Sequence, residues 1–410
     1  MANVSRQLDL YLHPAQLRLL RRASRAATEL SVDLYLVGGT VRDILIGRTP
    51  TDLDVVIARG DESSFAALGR SLGGDVLLKS QFGTAKLRVG DVDIDVAMSR
   101  TEVYGRPGAL PNVSPATIDD DLARRDFTVN AVAVSLAEPA WGKILDPYGG
   151  REDIDRGLIR ILHDDSFVDD ATRILRAVRY AGRLEFELAA QTRLLLDRDL
   201  HRLDTISGDR IRNELQRILA EPRAVEVLRL ADELGALAAI HPALTFGQSL
   251  AEKIEAGPGS RSNGLRFLAL TVFETASEDY PSLISRLNVD ATWAKVVRDV
   301  GAVKIATRRL AEPSIRRTKI WDLLHGLSVE SIQACVVAFE KPLVRQRLEL
   351  YLTELRYVKP VLNGDDLIAL GVPEGPQIGS LLEALLKARI EGLRATREDE
   401  ITMVRRNLKR

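Results

Sequence analysis

The pattern of apolar residues changes near residue 150, and this change limits the possible fold more than any other feature of the sequence. Before it, short β-branched runs alternate with short helices, which predicts an α/β or α+β domain. After the turn residues Asp146-Pro147-Tyr148-Gly149-Gly150, nearly every segment has helical periodicity. We therefore expect a mixed domain over residues 1–150, followed by all-α domains at 151–225, 226–360 and 361–410.

Two of the strands predicted before this boundary form a hairpin. The predicted strands cover residues 34–37, 53–57, 84–89 and 92–97. Gly90 and Asp91 form a two-residue turn between the last two strands, which therefore pair in antiparallel fashion. A purely parallel, doubly wound sheet is disfavoured.

Aspartates alternate with apolar residues in two of these strands. In Asp52-Leu53-Asp54-Val55-Val56-Ile57, the two-residue period of a strand places both carboxylates on one face. Asp91, Asp93 and Asp95 alternate in the same way and offer a third carboxylate. Crowded like charges repel, and carboxylate oxygens are the ligands that Mg²⁺ prefers. Taken alone, however, an Asp-x-Asp pair is more often a solvated acidic face.

A glycine turn before the aspartate pair changes that balance. Gly38 and Gly39 follow a predicted strand and open a predicted helix over residues 41–46, whose N-terminal amides can bind phosphate oxygens. Arg42 lies in the first turn, where a cation is favourable only if an anion binds nearby. Glycines, arginine and both aspartates fall within 17 residues, which predicts a site for phosphate and a metal ion.

Composition excludes several classes of protein. The 410 residues are 45% apolar and 28% charged, as in an ordinary globular chain. Cys335 is the only cysteine and lies in an apolar run, so we interpret it as a core residue and exclude a disulfide framework. No apolar run is long enough to span a membrane, and no secretory signal is recognisable, so we expect a cytoplasmic protein without a membrane partner. The net charge of −1 means that RNA contacts depend on local basic clusters.

Five motifs resemble, in order, those of the class II tRNA nucleotidyltransferase and poly(A) polymerase family. The matching segments are 36–54, 124–131, 146–154, 169–180 and 208–215. The chain looks most like a bacterial CCA-adding enzyme. The resemblance implies a nucleotidyltransferase head similar to that of DNA polymerase beta, followed by a helical neck, body and tail that bind tRNA. It also implies addition of C and A from CTP and ATP to the tRNA 3′ end without a nucleic-acid template.

The resemblance gives the carboxylates a catalytic role. It implies that Asp52 and Asp54 bind two Mg²⁺ ions, which activate the RNA 3′-hydroxyl and neutralise the triphosphate. We assign Asp95 as the third catalytic carboxylate from its position in the hairpin and its similarity to the family's strand. Asp93 is the alternative.

Further matches predict the nucleotide-binding residues. Arg124, Arg125, Asp126 and Asn130 match the segment that the family uses for the sugar and phosphates. Guanidinium groups suit phosphate, and carboxylate and amide groups can bond ribose hydroxyls.

Asp170 and Arg173 are predicted to select the base. They are three residues apart on a predicted helix and therefore share a face. A carboxylate beside a guanidinium complements the donor and acceptor edge that cytosine and adenine share, whereas uracil and guanine reverse the polarity. Without the neighbouring matches, the pair would be an ordinary surface ion pair.

The same segment also departs from the family pattern. The family commonly has glutamate where this chain has Asp169, so the role of that shorter side chain in nucleotide binding is open. Arg176, Arg179 and Arg183 continue a basic stripe that either contacts nucleotide and RNA or is neutralised by neighbouring acids.

The choice among family members depends on a loop. The stretch 80–87 is more similar to the tRNA enzymes than to the poly(A) polymerases. The segment 102–119 keeps a sizeable loop, and the resemblance implies that such a loop is needed for the final adenosine. We therefore favour complete CCA addition over A-adding, CC-adding or poly(A) activity. A non-catalytic nucleotide-binding or RNA-binding module is a further alternative.

The C-terminal region is basic. From Arg308 onward there are 18 basic and 14 acidic residues, a net charge of +4. We predict that Arg405, Arg406 and Lys409 contribute to tRNA binding. The oligomeric state is not predicted.

Overall fold

A computed structural model of the chain describes residues 3–80, 84–103, 112–256, 264–392 and 396–408. The chain divides into two compact units. The first comprises Met1–Glu214 with Glu233–Ala239, and the second comprises Leu215–Asp232 with Ile240–Arg410. Residues 81–83, residues 104–111 of the predicted loop segment 102–119, and Lys409 lie outside the described residues. The described flanks of that segment include two short strands, Arg100–Val103 and Asn112–Pro115. The division into four domains stays a prediction.

The strands all lie in the first unit within the described residues. They are β1 (Asp33–Val37), β2 (Leu53–Ala58), β3 (Asp75–Ser80), β4 (Thr84–Val89), β5 (Val92–Met98), β6 (Arg100–Val103), β7 (Asn112–Pro115), β8 (Ala133–Ser135), β9 (Ile144–Leu145), β10 (Leu158–Ile159) and β11 (Glu187–Leu188). Seven of them form one sheet in the order β3-β4-β5-β2-β1-β8-β9. β6 pairs with β7, and β10 pairs with β11.

The predicted hairpin is confirmed. β4 and β5 are antiparallel, and Gly90 between them has a φ of 61°, a backbone conformation that favours glycine. In the described part of the seven-stranded sheet, β2 and β5 form the one parallel pair, with Asp54 in register with Asp95. The two acidic strands are therefore direct neighbours.

The helices run from the first unit into an all-helical second unit. They are α1 (Ser5–Tyr11), α2 (Pro14–Glu29), α3 (Gly38–Ile46), α4 (Glu62–Leu72), α5 (Ile118–Ala123), α6 (Gly150–Arg156), α7 (Ser166–Asp169), α8 (Thr172–Leu184), α9 (Ala190–Asp199), α10 (Gly208–Leu219), α11 (Ala224–Glu233), α12 (Ala236–Ile240), α13 (Gln248–Ala256), α14 (Gly264–Thr271), α15 (Tyr280–Leu287), α16 (Ala291–Leu310), α17 (Arg317–Leu324), α18 (Val329–Ala338), α19 (Pro342–Thr353), α20 (Gly364–Ala369), α21 (Pro376–Ile390) and α22 (Arg397–Leu408). A mixed sheet-containing head followed by helical regions confirms the predicted fold class.

The two faces of β2 lie in different surroundings. Alternate apolar side chains of the strand enter the larger core, which α1 to α4 cover: Leu53, Val55 and Ile57. On the opposite face, Val56 packs in a smaller core with Leu122 of α5. Asp54 alternates onto this second face, so the strand holds its carboxylate against a rigid apolar layer.

Buried groups also organise the second unit. Near the C-terminus, Leu367 of α20, Leu385 of α21 and Val404 of α22 share an apolar cluster. The carboxylate of Glu400 accepts hydrogen bonds from the backbone N–H groups of Val361 and Leu362, which join α22 to the segment before α20. None of the described helices combines the length and the apolar character needed to cross a bilayer.

The interpretation of Cys335 as a core residue is confirmed. The side chain lies in α18 and is completely buried. Burial raises the pKa of its thiol to about 12, which keeps the sulfur in its unreactive form.

Candidate active site

A cleft of about 690 Å³ in the first unit brings together most of the predicted site residues. The predicted residues that line it are Gly38, Gly39, Asp54, Asp95, Arg124, Arg125, Asp126, Asn130, Asp170, Arg173 and Arg176. Four other residues predicted for catalysis or nucleotide binding lie outside the lining: Arg42, Asp52, Asp169 and Arg179. Residues far apart in sequence therefore meet around one concave surface, as expected of a ligand site.

Two carboxylates face each other at one end of the cleft. The parallel register of β2 and β5 places Asp54 beside Asp95, and the exposed Asp52 immediately precedes β2. Burial raises the pKa of Asp54, and the charge of Asp95 raises it further. Burial also raises the pKa of Asp95, although the charge of Lys86 opposes this effect. The protein therefore disfavours the ionised forms of both carboxylates.

Two positive charges act on these carboxylates: Arg125, whose charge lowers the pKa of Asp54, and Lys86. Its Nζ lies 3.5 Å from an oxygen of Asp52, 3.7 Å from Asp93 and 3.8 Å from Asp95. Asp93 also accepts two hydrogen bonds from Arg88, at 2.7 and 2.9 Å. Because Arg88 already engages Asp93, the geometry favours Asp95 as the third carboxylate of the site.

The carboxylates suit a hard divalent cation. In the part of the chain that the structure describes, no three acidic, histidine or cysteine side chains form a ready-made metal cage. Mg²⁺ does not need one, because it keeps several waters and binds through one or two carboxylates together with substrate phosphates. The donors are all oxygens, and the Lys86 ammonium already lies among them, so the residues fit Mg²⁺.

The glycine turn sits directly against these carboxylates. Gly38 begins α3 with a φ of +64°, and a Cβ there would lie 2.8 Å from Nη1 of Arg125. A side chain at this position would therefore displace the arginine. Thr40, which sequence reasoning missed as a site residue, fastens α3 to β2: its hydroxyl accepts a hydrogen bond from the N–H of Asp54 and donates one to the Asp52 carbonyl.

Arg42, which was predicted to contact phosphate, does not line the cleft. The side chain is only 2% exposed, and its Nη1 donates to Oδ1 of Asn130 at 2.8 Å. Its Nε and Nη2 donate to Asp43. Asp43 and Asn130 together accept hydrogen bonds from all three nitrogens of the guanidinium. Arg42 therefore holds the Asn130 side chain, which lines the cleft, and does not line the cleft itself.

Arg124 and Arg125 share one buried carboxylate that sequence reasoning missed. Asp121 accepts from Nη2 of Arg124 at 2.6 Å and from Nη2 of Arg125 at 3.0 Å. Burial alone would raise the pKa of Asp121, but the charges of Arg125 and Arg124 hold it below its ordinary value. The signal in the sequence was the spacing of three and four residues, which places all three side chains together near the end of α5.

Asp126 anchors the next part of the lining. Its Oδ2 accepts from Nε of Arg176 at 2.8 Å, and its Oδ1 accepts from the Asn130 amide at 3.0 Å. Burial alone would raise the pKa of Asp126, but Arg176 and the Asn130 amide hold it at about 2. Arg176 is therefore neutralised within the protein, as one of the two interpretations of the basic stripe predicts.

Asp170 and Arg173 both line the cleft, but the prediction that they share one helical face is wrong, because Asp170 has an extended backbone between α7 and α8. The two side chains form no ion pair with each other. Oδ2 of Asp170 accepts from Arg210 at 2.7 Å, and its Oδ1 accepts from the Thr172 hydroxyl. Arg173, 5% exposed, donates to the Ser166 hydroxyl at 2.7 Å and to the Arg124 carbonyl at 2.8 Å. Each member of the predicted base-recognition pair is fixed independently, and sequence reasoning gave no role to Arg210 or Ser166.

The remaining predicted residues lie apart from the cleft lining. Asp169 contacts His163 at 3.7 Å. Arg179 is 6% exposed and lies 3.5 Å from Glu214, so neutralisation by a neighbouring acid accounts for it. Arg405 is exposed in α22 of the second unit, as is Arg406. Their part in RNA binding stays a prediction.

Two family models match the chain. Residues 34–160 match the poly A polymerase head domain. Residues 185–246 match a probable RNA and SrmB-binding site of polymerase A. The first match spans both acidic strands of the cleft.

Curated proteins similar to the chain carry A-adding, CC-adding and CCA-adding activities in their names. An A-adding tRNA nucleotidyltransferase of Geobacter sulfurreducens is 33% identical over 96% of this chain and 47% of its own length. One from Halalkalibacterium halodurans is 31% identical over 96% of this chain and 93% of its own. A CC-adding tRNA nucleotidyltransferase of Deinococcus radiodurans is 31% identical over 97% and 96%. The chain thus spans about half the length of the first relative and nearly all of the other two.

Solved structures agree with these matches. A CCA-adding enzyme without ligand superposes with a TM-score of 0.83 at 28% identity, covering 99% of both chains. The Thermotoga maritima CCA-adding enzyme complexed with tRNA has a TM-score of 0.77 at 28% identity and the same coverage. A CCA-adding enzyme complexed with CTP has a TM-score of 0.78 at 28% identity, covering 100% of this chain and 99% of its own.

Proposed function

The chain belongs to the tRNA nucleotidyltransferase family of enzymes, and on that basis we propose that it adds C and A to the 3′ end of tRNA without a nucleic-acid template. One observation carries this proposal: paired carboxylates, guanidinium groups and the Asp170–Arg173 pair line a single cleft. These are the groups that a divalent cation, a triphosphate and a base edge each require.

The carboxylates would serve the metal. Asp52 and Asp54 would hold Mg²⁺ ions, and Asp95 would complete the set of oxygen donors beside them. When bound, Mg²⁺ supplies Lewis acidity that neutralises the triphosphate and lowers the pKa of the attacking 3′-hydroxyl. Thr40 keeps this set in register, because it ties α3 to the backbone on both sides of Leu53.

The arginines would bind the triphosphate. Arg124 and Arg125 each keep donor hydrogens beyond those bound by Asp121, and both side chains line the cleft. Guanidinium groups bind phosphate oxygens in forked geometry and would stabilise the pyrophosphate as it leaves. Asp126 and Asn130 lie next to them and would bond the ribose hydroxyls.

Asp170 and Arg173 would select the base. The Asp170 carboxylate accepts from the amino group that cytosine and adenine share, and the Arg173 guanidinium donates to the adjacent ring nitrogen. Uracil and guanine would leave polar groups unpaired at both positions, at a cost of roughly 1–3 kcal/mol each. Protein side chains would thus replace a template strand.

Three products are candidates. Complete CCA addition is our first proposal, because the segment 102–119 keeps a sizeable loop, and the resemblance implies that such a loop is needed for the final adenosine. A-adding activity is the second, since the relatives from Geobacter sulfurreducens and Halalkalibacterium halodurans carry that name. CC addition, the activity in the name of the relative from Deinococcus radiodurans, is the third and predicts CTP incorporation without ATP incorporation.

Three tRNA transcripts separate these candidates: one ending before CCA, one after the first C and one after CC. Complete CCA addition predicts labelled CTP incorporation into the first two transcripts and labelled ATP incorporation into all three when both nucleotides are present. A-adding activity predicts ATP incorporation into the third transcript alone. The Asp54→Asn variant is the negative control, and an inactive wild-type protein would reject the proposed function.

A further inference from the structure

Asp121 is a completely buried carboxylate that stands behind the candidate active site. It lies in α5, and its side chain is 0% exposed. Burying a charge is strongly unfavourable unless it is paired and hydrogen-bonded. The buried carboxylate of Asp121 is therefore expected to be paired with a positive charge.

Its partners are the two adjacent arginines of the cleft. One oxygen accepts from Nε and Nη2 of Arg124, at 3.0 and 2.6 Å, and the other accepts from Nη2 of Arg125 at 3.0 Å. The two arginine side chains are 19% and 16% exposed. One carboxylate therefore restrains both guanidinium groups, Glu102 adds a second contact to Nη1 of Arg124 at 2.7 Å, and both arginines line the cleft.

Arg124 and Arg125 contact residues on two sides of the cleft. Nη1 of Arg125 packs against Gly38 and donates to the Asn130 carbonyl at 3.2 Å. The backbone carbonyl of Arg124 accepts from Nη2 of Arg173 at 2.8 Å. The segment that Asp121 holds thus contacts both the glycine turn and the base-recognition arginine.

We propose that Asp121 is a positioning residue that orients Arg124 and Arg125 toward the nucleotide triphosphate. This inference rests on the proposed function, because it assigns the arginines to the triphosphate. An unrestrained arginine samples many rotamers, and ordering it during binding weakens affinity. Asp121 fixes both side chains in advance, so the bound nucleotide does not have to order them.

The test compares Asp121→Asn with Asp119→Asn. Asp119 lies in the same helix, is exposed, and forms no hydrogen bond or ion pair with any described residue, so its variant removes equal charge without touching the arginines. Calorimetry measures the dissociation constants of CTP, CMP and tripolyphosphate. For Asp121→Asn we expect CTP and tripolyphosphate to bind about 10- to 100-fold more weakly, as expected when charged hydrogen bonds are lost, with CMP changed less than about twofold.

A general structural defect would weaken CTP and CMP binding equally, and that result overturns the proposal. So does a CTP affinity in Asp121→Asn equal to that in Asp119→Asn. If Asp121→Asn does not fold, Arg125→Lys provides the same measurement, because lysine keeps the charge but has a single nitrogen and cannot reproduce the two contacts of Arg125, from Nη2 to Asp121 and from Nη1 to the Asn130 carbonyl. An unchanged ratio of CTP to CMP affinity in Arg125→Lys would then reject the positioning role.

The wild-type protein separates this inference from the proposed function. Failure of the wild type to elongate tRNA rejects the function. A wild type that elongates tRNA, together with an Asp121→Asn variant that keeps the wild-type ratio of CTP to CMP affinity, rejects only the positioning role.

Discussion

Two regions of one cleft carry opposite charges and differ in how far the protein compensates them. The carboxylate region consists of Asp52, Asp54 and Asp95. Burial and mutual repulsion raise the pKa of Asp54, and burial raises that of Asp95. Lys86 pairs with Asp52 at 3.5 Å and with Asp95 at 3.8 Å, and the charge of Arg125 lowers the pKa of Asp54, yet the pKa values of Asp54 and Asp95 remain raised, so these cations offset the negative charge only in part.

The arginine region consists of Arg124, Arg125 and Arg176, and its charges are balanced internally. Asp121 binds the first two arginines and Asp126 binds the third. The pKa of each of these two carboxylates is held below its ordinary value despite burial.

The difference indicates how each region should respond to mutation. A carboxylate whose charge is only partly balanced should matter for catalysis once a cation is bound, but should add little to the free energy of unfolding. A compensated pair is ordered before any ligand binds, so its loss should affect both stability and affinity.

Asp54→Asn should lower nucleotide incorporation by about 1000-fold or more, because metal-assisted stabilisation of charge is worth several kcal/mol. Its free energy of unfolding should not fall, since the substitution removes one of two facing like charges. Single-turnover incorporation and urea denaturation measure the two effects. Asp93→Asn is the matched control and should keep most of the activity, because Arg88 engages Asp93. A loss of stability as severe as the loss of activity would contradict the contrast.

Shortening the loop within residues 105–113 should reduce A addition by about 100-fold while C addition stays within a few-fold of wild type, as expected for a change that misplaces only one reactant. The loop joins β6 to β7, and Glu102 of β6 accepts a hydrogen bond from Arg124 at 2.7 Å. Incorporation of each nucleotide into the CC-ending and truncated transcripts measures the effect. Equal loss of C and A addition would indicate a structural role for the loop.

Arg173→Ala should change which nucleotide is used, by about 5- to 150-fold in relative kcat/KM, because each hydrogen bond lost or relieved is worth roughly 1–3 kcal/mol. UTP and GTP should gain relative to CTP and ATP, since the variant removes the donor that faces their ring N–H. Asp170→Ala should weaken CTP and ATP use more than UTP use. If all four values of kcat/KM fall by one factor in both variants, base selection resides elsewhere.

Local patterns predicted part of the carboxylate region. The alternation in β2 and the Gly90 turn are properties of neighbouring residues, and the structure reproduces both. The parallel register of Asp54 with Asp95 also needed the sheet order, which no local pattern contains. Asp95 was chosen over Asp93 from its position in the hairpin and from the resemblance to the family. The hydrogen bonds from Arg88 to Asp93 favour the same choice.

The arginine region was harder to predict because its contacts are made across the fold. Arg42 has the sequence context of a phosphate ligand, but packing against Asn130, 88 residues away, turns it from the cleft. Arg176 meets Asp126 across 50 residues. Asp121 was detectable from helical spacing to its arginines, yet its complete burial depends on the sheet beneath α5.

Asp126→Asn tests the stability side of the contrast and should show the smallest effect. The pKa of Asp126 is about 2 in the folded protein, against an ordinary value of 3.8. Its contribution to stability is therefore complete above about pH 4 and is lost as the pH falls toward 2, with a size of roughly 2 kcal/mol. Asp126→Asn should lower the free energy of unfolding by about that amount at pH 6, and the difference from wild type should shrink as the pH falls from 4 toward 2. Urea denaturation at several pH values measures it, with Asp119→Asn as the exposed control. A difference that does not depend on pH would mean that Asp126 acts through shape and neutral hydrogen bonds, and the arginine region would then not owe its stability to charge compensation.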